Sequence, residues 1–359
     1  MTRYLIRRVL AALPVLIGIV IVTFILARMI PGDPCRAILG EKASAETCAR
    51  WTHEKGFDRP IPVQLAIYMG DVLQGKLGDS IRFNRSVVDI LIERLPVTME
   101  LGATALFLAI LVGIPAGIVS SIRRNSATDV GVMVGANLGV SMPVFWLGLM
   151  LAYVFALLLK DTPFWLPPTG RLSAGLDATP FYEVYHIQAS PGSLGSKLLE
   201  FISNFLVLNS IITGNWVVLK DSVSHLILPA MALATIPLAI IARMTRSSML
   251  EASGQDYVRT ARAKGLSERS VVYKHVFRNS LLPIVTIIGL QLGLIFGGAV
   301  LTETIFGLAG VGRMLYEAIT ARDYPVIQGF TLVIAIGYVL ANLAVDLSYG
   351  FLDPRIRHD

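Results

Sequence analysis

The sequence is poor in charge and in cysteine. Of its 359 residues, 16% are charged, 54% are hydrophobic and only two are cysteines. So little charge excludes an ordinary soluble domain and favours several membrane spans. The sequence also contains no GxxxxGK[ST] phosphate loop, no GxSxG elbow and no HExxH motif. The signatures of an ATPase, a serine hydrolase and a zinc protease are therefore absent.

Metal and nucleic-acid binding are not indicated either. The five histidines and two cysteines make no spacing typical of metal ligands, so we expect no metal or other cofactor bound by this chain. The net charge of +6 is modest. Basic residues are expected in the cytoplasmic loops of any inner-membrane protein, so this charge does not predict a nucleic-acid partner.

Six long apolar runs contain no Asp, Glu, Lys or Arg. Secondary transporters and proton pumps usually place an ionisable residue inside the membrane. The lack of such residues weighs against ion coupling. The runs are 9–27, 101–122, 130–159, 226–242, 279–302 and 326–345.

The short loops between these runs carry arginines that set the expected topology. Arg8, Arg123, Arg243 and Arg355 belong to basic clusters that should stay in the cytoplasm. We expect an all-α integral membrane protein with six transmembrane helices and both termini in the cytoplasm. The first run is too long for a secretory signal core, and no small-residue cleavage site follows it.

This topology divides the chain into five units. Two of them are large extracytoplasmic insertions, one after the first helix and one after the third. The apolar segment 201–219 in the second insertion is not counted as a span, because Asn204, Asn209, Asn215 and Gly214 interrupt it. The units are 1–29 (N-terminus and first helix), 30–96 (extracytoplasmic subdomain), 97–159 (helices two and three), 160–224 (extracytoplasmic loop) and 225–359 (helices four to six, with a cytoplasmic loop at 244–278).

Cys35 and Cys48 fall in the first insertion. An extracytoplasmic compartment is oxidising, and the intervening residues can close a loop, so we expect a disulfide. Two unpaired thiols in a poorly ordered loop are the alternative.

The fifth run carries small and polar residues at membrane depth. Gly289, Gly293 and Gly297 fall on one helix face, which lets a second helix approach, either from this chain or from a partner. Gln291 lies off that face and either lines a pathway or bonds a neighbouring helix. Met142 and Trp146 are further pathway candidates, beside the Met142–Pro143 pair that should kink the third run.

The segment 256–283 is strongly basic and lies between the fourth and fifth runs. Tyr257, Val258, Ala261 and Leu266 recur at helical spacing before a glycine, Gly265. Glycine disfavours helix, so the pattern predicts a short helix, a turn and a second short helix. Charge and periodicity alone also fit a basic segment that lies on anionic lipid.

The residue order of this segment resembles the EAA loop of ABC importer permeases. Gly265 and Ala261 match that pattern, whereas Arg259 and Thr260 stand where the family has Glu and Ala. RTARAKGL and the later NSLLP are similar to the dipeptide and oligopeptide permease branch, whose first, or B-type, permease is the closest match. Further blocks that resemble it are RRVLAALPVLIGI, MIPGDP, PVTMELG, SMPVFWLGL, LTETIFGLAGVGR (with Ala309 for a common proline) and DLSYGFLDPRIR.

The resemblance implies a non-catalytic subunit with the type I importer permease fold, in a bacterial inner membrane. Its implied partners are a homologous second permease, two ABC ATPase subunits that carry ATP and Mg, and an extracytoplasmic substrate-binding protein. Implied substrates are dipeptides and oligopeptides, with nickel complexes or glutathione as alternatives. A stand-alone secondary transporter and a structural membrane protein remain the other readings. The residues implied to couple to the ATPase are Tyr257, Val258, Arg259, Ala261, Arg262, Ala263, Lys264, Gly265 and Leu266.

Overall fold

The computed structural model describes residues 2–29, 35–36, 40, 42–54 and 56–352, without the side chains of 2–7, 9, 294–298 and 349–352. Within this part of the chain every regular element is helical, and the sole β-pairing is an isolated bridge between Asp79 and Ser86. The predicted all-α class is therefore correct.

The helices are joined by connections of very different length, and one of the longest follows Leu158. In chain order they are α1 (Thr2–Met29), α2 (Ala45–Glu54), α3 (Ile61–Leu73), α4 (Val87–Ile122), α5 (Ala127–Ser141), α6 (Val144–Ala152, continued by a π-helix, Tyr153–Leu158), α7 (Phe181–Val184), α8 (Leu194–Ser203), α9 (Leu206–Thr213), α10 (Trp216–Ser253), α11 (Asp256–Ala263), α12 (Glu268–Ser270, continued by a π-helix, Val271–Phe277), α13 (Arg278–Gly298), α14 (Val300–Ile305), α15 (Val311–Ala321) and α16 (Tyr324–Leu352).

Among the residues that the structure describes, five helical stretches are long and apolar enough to cross a membrane, and the number is six if one bent pair is counted as a span. The pair is α5 and α6, which meet at an angle of 101°. The bend occurs at Met142–Pro143, as the sequence predicts, but it is sharper than a kink. Met142 is extended (φ −80°, ψ 129°), because a residue before proline is disfavoured in the helical region.

Two of the long helices begin earlier than the apolar runs suggest. α4 starts at Val87, whereas the apolar run begins at 101; Ser86 caps the helix by accepting a hydrogen bond from the Val88 N–H. Its first turns are buried against Phe330 of α16. This packing stabilises the part of the helix that precedes Pro96, which lies inside α4. α10 starts at Trp216, after an Asn215 cap.

The segment 201–219 does not form a span. It is divided among α8, α9 and the first turn of α10, with breaks at Asn204 and at Gly214. Gly214 adopts a left-handed conformation (φ 67°) that ends α9. The prediction that this segment does not form a span of its own is confirmed within the described residues.

The core lies where α4 crosses α10. Two glycines of α4 let the backbones approach, since a Cβ at Gly113 would lie 2.9 Å from the Leu238 carbonyl and one at Gly117 would lie 2.6 Å from that of Ala242. Leu101 and Leu228 are fully buried beside this crossing.

The bundle has two distinct ends. At one end, Arg171 contacts Glu100 (3.0 Å) and Lys197 contacts Asp89 (2.9 Å), which ties the loop after α6 to the start of α4. We call this the long-loop end, because the described residues between α1 and α4 and the segment 160–215 gather there. At the other end, Ile118 of α4 packs on the segment 256–277, which we call the basic hairpin.

Cys35 and Cys48 form a disulfide at the long-loop end, with Cα atoms 5.6 Å apart. In the chain-entropy model a loop of this length contributes about 3 kcal/mol to the stability of the region that it closes.

We expect the bridge to be present in protein purified without reductant. Thiol titration of the denatured, unreduced protein should detect no free thiol, and titration after reduction should detect both. Two reactive thiols before reduction would contradict the bridge.

Candidate functional site

The basic hairpin has the predicted form, a short helix, a turn and a second helix. α11 ends at Ala263, and Gly265 turns the chain in a left-handed conformation (φ 75°). Ser267 then caps α12, accepting a hydrogen bond from the Ser270 N–H. The second helix differs from the prediction in one respect. It runs without a break through the π-helix into α13, so the hairpin is joined rigidly to the next span.

The inner face of the hairpin is buried within the chain itself. Val258 is 0% exposed and Ala261 is 5% exposed, and both pack with Met249, Val271 and Val276. These two side chains therefore hold the hairpin in place rather than forming its outer surface. The other seven predicted coupling residues are exposed: Tyr257, Arg259, Arg262, Ala263, Lys264, Gly265 and Leu266.

An ion pair crosses the turn of the hairpin. Arg262 donates from Nε to Glu268 Oε1 at 2.9 Å and from Nη2 to Oε2 at 3.4 Å. Both side chains are exposed, so the pair contributes at most about 1 kcal/mol. The outer surface is basic because Arg259, Arg262 and Lys264 are exposed there. The ion pair holds the turn through a local contact.

Two polar contacts fix the base of the hairpin. The guanidinium of Arg246 on α10 donates two hydrogen bonds to Asp129 of α5, at 2.7 and 2.8 Å. Asp129 also accepts from the Ser120 hydroxyl and from the Asn125 N–H. On the other leg, the Ser280 hydroxyl lies 3.1 Å from the Ser248 carbonyl. These contacts tie α10, which leads into the hairpin, to α5 and to α13, which leads out of it.

The backbone conformation of Gly265 predicts how substitutions at this turn will behave. Nothing lies within 4 Å of a Cβ built at Gly265, so only its positive φ opposes substitution. Left-handed backbone costs a residue with a Cβ about 1–2 kcal/mol, more for a β-branched residue and less for asparagine. If the hairpin is the coupling loop that the resemblance implies, Gly265→Val should impair substrate-stimulated ATP hydrolysis in complex with the ATPases, whereas Gly265→Asn should retain most of it. Equal activity of the two variants would contradict a role for this turn.

The three pathway candidates lie in different environments. Trp146 is exposed on α6, Met142 is half-buried at the bend, and Gln291 is 7% exposed within α13. No described residue forms a hydrogen bond with the Gln291 side chain. Their role in a pathway stays a prediction.

The glycine stripe of α13 packs on α16. A Cβ at Gly289 would overlap the Val345 side chain, and one at Gly293 would lie 2.5 Å from the Tyr338 ring. Of the two alternatives, these two positions therefore favour packing within the chain. Gly297 lies among the residues whose side chains are not described.

Several buried polar contacts were not anticipated from the sequence. Glu303 is fully buried; it accepts a hydrogen bond from the Thr98 hydroxyl at 2.6 Å and one from the Arg313 N–H at 2.8 Å. Asp129 and Glu100 are buried likewise. All three residues lie next to charge-free runs. Their burial could not be predicted from the sequence, because it depends on partners that are distant in the chain. Gly113 and Gly117 carry a small-xxx-small signal that could have been found in the sequence.

Comparison with known proteins covers the chain from end to end. Residues 113–358 match the binding-protein-dependent transport system inner membrane component family, and residues 1–102 match the N-terminal model of such membrane components. A dipeptide transport system permease protein of Alkalihalophilus pseudofirmus is 44% identical, with 100% of each chain covered.

Two further relatives agree with this result. A di/tripeptide transport system permease protein of Pseudomonas aeruginosa is 41% identical, and a dipeptide transport system permease protein of Escherichia coli K12 is 42% identical. In both cases 100% of this chain and 99% of the relative are covered. The chain therefore belongs to the family of inner-membrane components of binding-protein-dependent transport systems, and it is an ABC transporter permease subunit.

Proposed function

We propose that this chain is one of two homologous permeases in a type I ABC importer and forms half of a translocation pathway for dipeptides and oligopeptides. A substrate-binding protein delivers the peptide. Two ABC ATPase subunits bind ATP and Mg, and this chain binds no cofactor. The names of the three relatives support peptides over the alternatives within the family, nickel complexes and glutathione.

The observation that carries the proposal is the construction of the basic hairpin. Val258 and Ala261 fix its inner face to the bundle, while its outer face is exposed and basic. The hairpin is continuous with α13, so a force applied at its outer face reaches a membrane span directly. A segment that only lay on lipid would not need this rigid connection.

Contacts at the two ends of the bundle support six spans, with the bent pair α5–α6 counted as one. Asp129 at the start of α5 lies at the hairpin end, bonded to Arg246. After α6, the Gly170 N–H donates to the Phe306 carbonyl, and the next residue, Arg171, pairs with Glu100 at the long-loop end. The chain thus changes ends between α5 and residue 171.

The termini are proposed to lie in the cytoplasm together with the hairpin. Arg8 of α1 lies 3.2 Å from Asp346 of α16, so the beginning of the first helix and the end of the last one are neighbours. Arg123 follows α4 at the hairpin end and adds to its positive charge. The C-terminal arginines, Arg355 and Arg357, lie outside the described residues. The long-loop end, with the two insertions, is then extracytoplasmic.

Labelling of single cysteines with a membrane-impermeant maleimide tests this topology. The native pair is expected to be bridged and unreactive. A cysteine at Ser193 should react from outside in intact cells, whereas cysteines at Ser126 and His358 should react only after permeabilisation. Reaction at His358 in intact cells would contradict the proposed orientation.

Reconstitution tests the function itself. The permease pair, the ATPases and the binding protein should hydrolyse ATP faster when a bound dipeptide is present, and nickel complexes or glutathione should not replace it. Stimulation by one of those ligands and not by peptides would reassign the substrate. Transport by this chain without an ATPase would contradict the importer proposal.

A further inference from the structure

A pocket at the long-loop end is lined by polar groups that the importer function does not use. It has a volume of about 270 Å³ and lies between the end of α1, the segment α2–α3 and the start of α16. Arg28, Tyr68 and Gln328 line it from three different helices. The pocket is thus assembled by the fold and does not belong to a single loop.

Arg28 contributes a half-buried cation without a matching acid. Its Nε and Nη2 both donate to the Gln64 amide oxygen, at 2.9 and 2.8 Å, and its guanidinium carbon lies 3.4 Å above the Phe24 ring. No carboxylate of the described residues forms an ion pair with it. A guanidinium has five N–H donors, so these contacts leave donors for a ligand.

Two more donors in the pocket have no acceptor. The Tyr68 hydroxyl and the Gln328 Nε2 atom are both buried without a hydrogen-bond partner in the described part of the chain. The Gln328 residue as a whole is only 4% exposed. Buried donors that remain unpaired cost free energy, so they are expected where a ligand supplies the acceptor. These two donors and the guanidinium of Arg28 together favour an anionic oxygen group.

Glu54, Arg59 and Asp71 add further charges to the pocket. Glu54 and Arg59 are exposed and Asp71 is half-buried, and all three line the same pocket as Arg28. The lining therefore carries two cations and two carboxylates, so a simple anion would leave the carboxylates unmatched. A ligand that carries an ammonium group next to its anionic oxygens satisfies both sets of charges.

The surroundings of the pocket are apolar. Met29 at the end of α1 is 71% exposed, and Ile67, which lines the pocket, is 43% exposed. α3 buries none of its residues and exposes Ile61, Val63 and Leu73. Exposed apolar residues at the end of a membrane span are typical of contact with acyl chains. Inorganic phosphate has no apolar part and would gain nothing from such a surface.

We propose that this pocket binds the headgroup of a phosphatidylethanolamine molecule in the leaflet at the long-loop end. Its phosphate accepts hydrogen bonds from Arg28, Tyr68 and Gln328. Its ammonium group faces Glu54 and Asp71, and its acyl chains lie along α1 and α3. The lipid would fix the small region of α2 and α3 to the membrane surface.

Native mass spectrometry of the purified importer, titrated with dioleoyl phosphatidylethanolamine, tests the proposal. Arg28→Gln combined with Gln328→Leu should weaken binding of one lipid molecule by about tenfold or more, the loss expected for a charge-assisted contact. Tyr68→Phe removes one hydroxyl and should have a smaller effect without endangering folding. Arg50→Gln, an exposed change on α2 outside the pocket, is the matched control and should bind as the wild type does.

Competing ligands show whether the pocket recognises a lipid headgroup, free phosphate or a peptide. Phosphatidylglycerol should bind more weakly, since it lacks the ammonium group, and inorganic phosphate or dialanine should not displace the lipid. Equal binding by the wild type, the double variant and Tyr68→Phe would overturn the proposal. Displacement by dialanine would overturn the lipid assignment in favour of a peptide site. These readouts do not depend on transport, so they stand apart from the proposed importer function.

Discussion

Ala263→Trp should uncouple ATP hydrolysis from substrate without destabilising the permease. Ala263 is exposed at the end of α11, beside the turn, so a large side chain there has no internal contact to disturb. In a close-packed interface with an ATPase the same side chain would cost about 1–3 kcal/mol, which weakens coupling by about 5- to 150-fold. The measurements are substrate-stimulated ATP hydrolysis of the reconstituted complex and thermal unfolding of the permease.

Ala261→Trp is the matched comparison, one half-turn away on the opposite face. Ala261 is 5% exposed and packs with Met249 and Val271, so tryptophan there should lower the unfolding temperature as well as the activity. If the hairpin only lies on lipid, Ala263→Trp should be tolerated and neutralisation of Arg262, Lys264 and Arg269 should abolish function. Normal stimulation by Ala263→Trp would therefore contradict ATPase docking at this surface.

Glu303→Ala should be strongly destabilising. Glu303 joins α14 to α4 through Thr98 and to the start of α15 through the Arg313 N–H. Removal of the carboxylate leaves two buried donors without an acceptor, at about 1–3 kcal/mol each. The packing is tight, since a Cβ at Gly310 would overlap the Glu303 carboxyl group. The unfolding temperature and the yield of assembled complex should both fall.

Glu317→Ala controls for loss of a carboxylate on the same part of the chain. Glu317 pairs with Arg313 at 3.1 Å, but both side chains are more than 30% exposed, so the loss is at most about 1 kcal/mol. Glu303→Gln keeps the shape and one acceptor and should fall between the other two variants. Equal stability of Glu303→Ala and Glu317→Ala would show that the buried contacts of Glu303 contribute little.

The sequence predicted the features that depend on local backbone chemistry. The turn at Gly265, the break at Met142–Pro143 and the interruption at Gly214 each follow from the conformational limits of glycine or proline. These residues act through their own φ and ψ, so no distant contact is needed to place them.

Features that depend on distant partners were beyond sequence reasoning. Helical spacing identified Val258 and Ala261 as an apolar face, but it could not show that this face packs on α10 and α12 rather than on an ATPase. The buried carboxylates Glu303 and Asp129 have partners as far away as Thr98 and Arg246. A charged residue next to an apolar run looks like an ordinary helix end until its partner is known.

Photo-crosslinking from the outer face of the basic hairpin tests the central claim most directly. A benzophenone maleimide attached to a cysteine at Leu266, an exposed residue, reports which protein lies against the hairpin in the assembled transporter. We expect a covalent product of one permease and one ATPase subunit from this position, and none from a cysteine at Ser193 at the long-loop end. Cross-links from Leu266 to lipid alone, with no ATPase product, would contradict it.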